Sequence, residues 1–322
     1  MRKRTDRYDE RDFRAIDQSG RLDANETIFF ARELEYIKAQ TYDIEYPNLS
    51  GLNLIPISSE VSPGAESVSY YQYDKVGFAK IISNYSTDLP RVDLKGKRFF
   101  APVKSIGVSY GYSIQDIRAA QMAGKPLEQR KAAAARDADS QEVNRIALFG
   151  DTDSGLVGLL THPNITSYTL PADGTSSATK FSAKTADQTI RDLNGMVTSM
   201  INLTMNVEIP DTVIFTPGVR AYLASTPRSS YSDTTILDFW LQKNGYIKNV
   251  EVAPELTGAG TNGTDMMMIY KKSPQKLTLE LPQPFEQFPP EIKGLEYVIS
   301  CHSRCAGILC YYPLSLMKAS GC

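Results

Sequence analysis

Histidine is almost absent from this 322-residue chain, which holds only His162 and His302, and tryptophan occurs once, at Trp240. Two imidazoles far apart in sequence leave little for a histidine-built metal centre or an acid–base relay. Cysteine is confined to positions 301, 305, 310 and 322. No disulfide framework therefore spans the chain, and a reducing compartment is expected. No apolar run approaches the ~20 residues of a membrane span. The opening MRKRTDRYDERDFR carries no apolar core, so no secretory signal and no membrane partner are expected. Charge of one sign is lacking too: 35 Lys+Arg stand against 37 Asp+Glu, a formal net charge of −2, so no global field draws nucleic acid. Nucleophile-elbow, phosphate-loop and dinucleotide glycine motifs are missing as well. That absence points away from an enzyme and from any cofactor, although sites assembled only in three dimensions leave no local trace.

What the chain does have is tyrosine, proline and glycine, 18, 18 and 21 of them, which lean towards strands and turns. Its organising stretch is SIQDIRAAQMAGKPLEQRKAAAARDADSQEVNRIALFG, from Ser113 to Gly150. Ser113 reads as the cap of a short helix that Gly124 and Pro126 terminate. Pro126 then opens a long Ala-rich helix, Leu127 to Phe149, closed by Gly150. At 1.5 Å per residue that helix is roughly 35 Å long. Leu127, Ala134, Ala138, Ile146 and Phe149 are expected to form its inward face.

Before it, residues 1–25 read as a charged arm in which Asp and Glu interleave with the basic residues. A solvated tail is the plain reading and a phosphate-touching arm the other. A helix is expected over Thr27–Gln40 and a short strand over Leu52–Ile57. From Glu66 to Tyr112 the residues alternate with a period of two around a polar tip at Asn84–Gly96, which predicts a two-stranded arm. An isolated hairpin is marginal in water, so such an arm normally finds a partner surface.

After the long helix, Asp151–Gly155 resembles the start of a calcium loop. However, the twelfth position is His162 and glycine stands at the fifth, so no metal is expected. Thr161–Phe181 reads as loop. Residues 183–256 alternate helix and strand: Thr185 and Gln188 form a capping box, Ile190, Leu193, Val197, Met200 and Ile201 keep a helical period, and TVIFT is a buried strand. Gly258–Gly263 is a loop that precedes a strand and so cradles no phosphate. From Asp265 onward strands dominate, and they are expected to close a sheet next to the first strands. Cys301-His302-Ser303-Arg304-Cys305 puts both sulfurs on one strand face without a second Cys/His pair, which reads as buried free thiols.

This order of parts, together with the RAAQMAGKPLEQRKAAAARDADSQEVNRIALFGD, GLVGLLTHPNI and HSRCAGILCYYPLSLMKASG segments, resembles the HK97-type fold of tailed-phage major capsid proteins. The resemblance covers about residues 25–320 and implies an α+β subunit. Its parts would be an N-terminal arm and helix over 1–57, an E-loop hairpin over 58–112, and a P-domain over 113–182 with its spine helix at 126–149. An inserted A-domain over 183–262 and closing P-domain strands over 263–322 would complete it. The implied role is self-assembly into an icosahedral head shell around double-stranded DNA. Implied partners are further copies in hexamers and pentamers, DNA held non-specifically, and portal, scaffold and decoration proteins. The place is the virion, assembled in the host bacterial cytoplasm. Assembly residues would be Tyr85, Asp88, Arg91, Asp93, Lys95, Lys97 and Arg98 on the arm, and Glu128, Arg130, Lys131, Arg136 and Asp137 on the spine helix. Arg2, Lys3, Arg4 and Arg7 would face the DNA. An encapsulin-like compartment shell shares the fold and would differ in its cargo. A soluble α/β enzyme with a dimerisation arm would instead give a defined monomer or dimer.

Overall fold

The computed structural model describes residues 49–77, 80–81, 91–123, 127–173, 178–229, 231 and 233–322. The expected charged arm over residues 1–25, the Thr27–Gln40 helix and residues 84–90 of the polar tip lie outside them. The described chain begins with helix α1 (Ser50–Leu54), where a strand was expected over Leu52–Ile57. Only strand β1 (Ile57–Ser58) follows Pro56. The reason is local burial: Ser50, Gly51 and Leu54 all point into the body, a spacing that suits a helical turn.

Strands β2 (Ser67–Val76) and β3 (Asp93–Pro102) form an antiparallel ribbon of ten residue pairs. The arm was expected to continue to Tyr112. It ends instead at Val103, a buried residue after which the chain becomes β4 (Lys104–Ser113) and joins a different sheet. The alternation of Ile106, Val108, Tyr110 and Tyr112 is real, but it answers to the body of the protein rather than to the arm. Next come α2 (Ile114–Ala123) and the long α3 (Leu127–Phe149). Ser113 caps α2 reciprocally: its hydroxyl accepts from the Asp116 amide at 3.0 Å, and its own amide donates to the Asp116 carboxylate at 3.3 Å.

Gly150 ends α3 at φ 71°. The inward stripe of α3 is Ala135, Asp139, Val143, Ile146 and Ala147; Ala134, Ala138 and Phe149 of the expected face are exposed. The stripe runs through a carboxylate, Asp139, which accepts from Ser303 Oγ at 2.5 Å, and a purely apolar reading passes over it.

A small hairpin, β5 (Gly150–Asp151) with β6 (Leu156–Val157), reverses the chain, and β7 (Thr166–Thr169) is a strand where loop was expected. Then follow α4 (Ala186–Leu203), β8 (Thr212–Phe215), α5 (Pro217–Ser225), α6 (Ile236–Asn244) and β9 (Asn249–Val252). The Thr185/Gln188 capping box is present, and Thr216 and Thr235 cap α5 and α6 by accepting from Val219 and Asp238 amides. The C-terminal part supplies β10 (Met266–Tyr270), β11 (Leu277–Glu280), β12 (Gln283–Gln287), β13 (Glu291–Lys293), β14 (Glu296–Cys305), β15 (Gly307–Cys310) and β16 (Leu316–Ser320).

Three sheets position everything else. β4 pairs with all of β14, whose other edge carries β12 and β13. β1, β11 and β15 form the second sheet. The third runs β7-β16-β10-β8-β9. In this sheet β10 and β16, expected among the closing strands, lie beside β8. Both faces of this sheet are covered. Met266, Met268, Tyr270 and Ile214 face the core shared with α3, while Met267, Ile269, Val213 and Phe215 face the core under α4, α5 and α6. A strand buried on both faces carries no alternation to reveal its sheet.

Candidate assembly surfaces

The ribbon is the feature that one chain does not complete. Ten pairs at about 3.3 Å per residue give it a length of about 33 Å, running from Ser67↔Pro102 to Val76↔Asp93. Among the described residues neither strand pairs with a third, so both edges are open. Beyond Tyr70 the side chains from Tyr71 to Lys75 and from Asp93 to Arg98 are exposed on both faces. Large apolar surface is left bare: Tyr73 is 65% and Phe100 77% exposed. Exposed open edges with apolar faces are what soluble monomers avoid.

Its root is held firmly. Tyr70 Oη donates to the Cys310 carbonyl at 3.0 Å, its ring stacks on Phe99 at 5.3 Å and meets Tyr311 edge-on at 4.9 Å. The Val103 amide donates to the Glu66 carbonyl at 2.9 Å, and the Arg304 guanidinium donates to the Pro63 carbonyl.

Of the arm residues singled out from sequence, Tyr85 and Asp88 lie outside the described residues, as do Arg2, Lys3, Arg4 and Arg7. Arg91 and Lys95 are exposed. Asp93 accepts from the Leu94 amide at 2.8 Å. Lys97 lies 5.0 Å over the Phe99 ring, and Arg98 donates to Ser69 Oγ at 3.2 Å and lies 6.0 Å over Tyr71. The structure therefore places Asp93, Lys95, Lys97 and Arg98 on one strand, with Arg91 two residues before it.

On α3 the picture divides. Lys131 Nζ donates to the Gly111 carbonyl at 2.6 Å and lies 4.7 Å over Tyr112, and Arg136 lies 5.6 Å over Phe285. Both were expected to serve assembly, and both are engaged inside the chain, where they fasten the helix to β4 and β12. Arg130 and Asp137 are exposed, and Glu128 sits in the first turn of the helix.

Two surfaces escaped the sequence. One is β13 and the turn that follows it, where Ile292 and Leu295 are bare. The other is the loop after α4, where Met205 and Asn206 take left-handed φ values of 50° and 67° and Met205 is 89% exposed. A non-glycine pair at positive φ is uncommon. The only signal was apolar residues inside turn-rich segments, which is weak.

Chemistry is sparse by comparison. Among the described residues no group of three or more His, Cys, Asp or Glu is placed to hold a metal ion. Burial pushes the thiol of Cys305 up to about 11 and those of Cys310 and Cys322 up to about 12, so all three stay protonated and poorly nucleophilic. No helix among them is long and apolar enough to cross a membrane.

This arrangement is shared with solved structures. The capsid of Myoviridae phage XM1 superposes with a TM-score of 0.77 at 18% identity, over 91% of this chain and 98% of that one. The capsid of an empty GTA particle gives 0.61 at 10% identity over 93% and 99%, and Mycobacterium phage Bobi 0.58 at 14% over 89% and 94%. The fold is thus the HK97-type fold of phage capsid subunits, α+β in class. Residues 77–321 match the major capsid protein family, and the chain belongs to it. No curated protein matches the chain in sequence.

Proposed function

We propose that the chain builds its shell as hexamers and pentamers of one icosahedral lattice, by laying the β2–β3 ribbon across a neighbouring copy. The observation that carries this reading is a ribbon of ten pairs whose faces are uncovered beyond Tyr70 and whose edges pair with no third strand among the described residues. A surface of that kind is stable only when another chain covers it. The ribbon is then the E-loop, α3 the spine helix that crosses the sheet built on β14, and the layer of α4, α5 and α6 the A-domain at the capsomer axis. Double-stranded DNA is enclosed without sequence reading, which suits a near-neutral chain. The protein acts as a structural subunit of the virion, formed in the bacterial cytoplasm, and takes no part in catalysis. Portal, scaffold and decoration proteins are its remaining partners.

The test is electron microscopy and size-exclusion chromatography of the protein expressed alone. Closed shells tens of nanometres across are expected. Removing residues 84–96 should leave soluble protein that no longer closes shells. Normal particles from that deletion would sink the role of the ribbon, and a defined monomer or dimer from the full chain, even with neighbouring phage genes co-expressed, would sink the shell itself.

A further inference from the structure

Where the ribbon meets the body there is a cleft of about 410 Å³ walled by Tyr70, Tyr71, Tyr73, Tyr311 and Tyr312. Carboxylates lie behind this wall. The single hydroxyl proton of Thr278 goes to Glu280 Oε1 at 3.1 Å. Tyr311 Oη, 3.1 Å from the same threonine oxygen, must therefore be the donor of that pair. Glu280 is buried, and its Oε2 accepts no hydrogen bond. On the other flank Lys276 Nζ lies 4.1 Å over the Tyr312 ring and 2.5 Å from Glu208 Oε1. Glu208 Oε2 is again buried without a donor. Burial, reinforced by the charges of Glu280 and Glu60, raises the Tyr311 hydroxyl above its ordinary value, so it remains a neutral donor. Two buried carboxylates, Glu208 beside Lys276 and Glu280 behind Tyr311, thus each keep an unfilled acceptor behind a wall of aromatic faces.

We propose that this cleft is a socket for a basic side chain, arginine or lysine, of a second copy of this chain. Tyrosine faces attract a cation, and the excess of carboxylates adds to that attraction. A guanidinium suits the cleft best, because its plane stacks on aromatic rings while its fork offers several donors. The complement is on the same molecule. Lys95 is exposed on the outer half of the ribbon and Arg91 just beyond its last pair, whereas Lys97 and Arg98 are already engaged with Phe99, Ser69 and Tyr71. Each copy therefore shows a socket at the ribbon root and a plug further out. A head-to-tail contact of this kind builds rings where the rotation between copies closes, and never isologous pairs. The inference rests on the shell-building reading and adds the chemistry of one contact.

Cryo-electron microscopy of wild-type shells is the direct test, with a neighbour's basic side chain expected inside the tyrosine-walled cleft. In parallel, the double variant Tyr71→Ala/Tyr73→Ala removes two exposed rings and leaves the unassembled fold intact by circular dichroism. Its half-assembly concentration is expected to rise roughly tenfold, the equivalent of one cation–aromatic contact per subunit. The Tyr71→Phe/Tyr73→Phe variant, which keeps the faces, should assemble like wild type. An empty cleft, an apolar occupant, or an unchanged midpoint for the alanine variant overturns the socket while the shell stands. Absence of wild-type shells overturns both.

Discussion

Gly158 has no room for a side chain. A Cβ there would stand 2.3 Å from the Gly150 nitrogen and 2.6 Å from the Leu148 carbonyl oxygen, because β5–β6 folds back against the end of α3. Gly158→Ala should therefore cost roughly 3 kcal/mol or more, read as a fall of roughly 5–10 °C in the melting temperature of the unassembled protein. Polar residues act at the same scale. Lys184 and Asp192 have fully buried side chains and pair at 2.5 Å, while Asp173 bridges Lys184 and Arg191 from the loop before α4. Hydrogen bonds from Arg191, then from Lys184, hold the Asp173 carboxyl below its ordinary value of 3.8. A depressed folded value means that this contribution is complete above 3.8 and is lost as pH falls through the lowered value. Exchange of the Ala178 and Lys184 amides should accelerate on acidification below pH 3.8, and Asp173→Asn should show fast exchange at every pH.

Helix α3 shows what patterning can and cannot reveal about an element. Its ends were legible, because Pro126 and Gly150 are backbone instructions that act locally. Its inward face was not, since Asp139 lies in the middle of it and finds its partner, Ser303, from a strand far away in sequence. Lys131 shows the same limit from the other side: a charged residue on a helix flank looks solvent-directed until β4 brings a carbonyl to it. Lys131→Met should lower the stability of the unassembled chain by about 1 kcal/mol and leave shell formation unchanged, as seen by chemical denaturation beside microscopy. The ribbon was legible as an arm from its period-two pattern and polar tip. The point where it stops was not, because the alternation runs on through β4, and only pairing distinguishes the two strands.

At the level of the whole molecule, the order of arm, long helix, α/β layer and closing strands was readable, while the membership of the five-stranded sheet was not. Met266–Tyr270 is apolar at every position, so nothing in it tells β8 from β14 as a neighbour. Exposure of the ribbon makes a global prediction: in unassembled protein the amides of β2 and β3 should exchange quickly, and in shells at least ~100-fold more slowly, with α4 little changed. Equal ribbon exchange in both states would contradict its burial by a neighbour. The junction at Val103 gives the molecule a mechanical character. Only this residue separates β3 from β4, and β4 is zipped to β14 over ten consecutive pairs, from Lys104↔Cys305 to Ser113↔Glu296. A tension carried along β3 therefore passes directly into a ladder of ten pairs rather than into a loop. On the proposed assembly, the strap between one subunit and the next is anchored on a ladder of ten pairs.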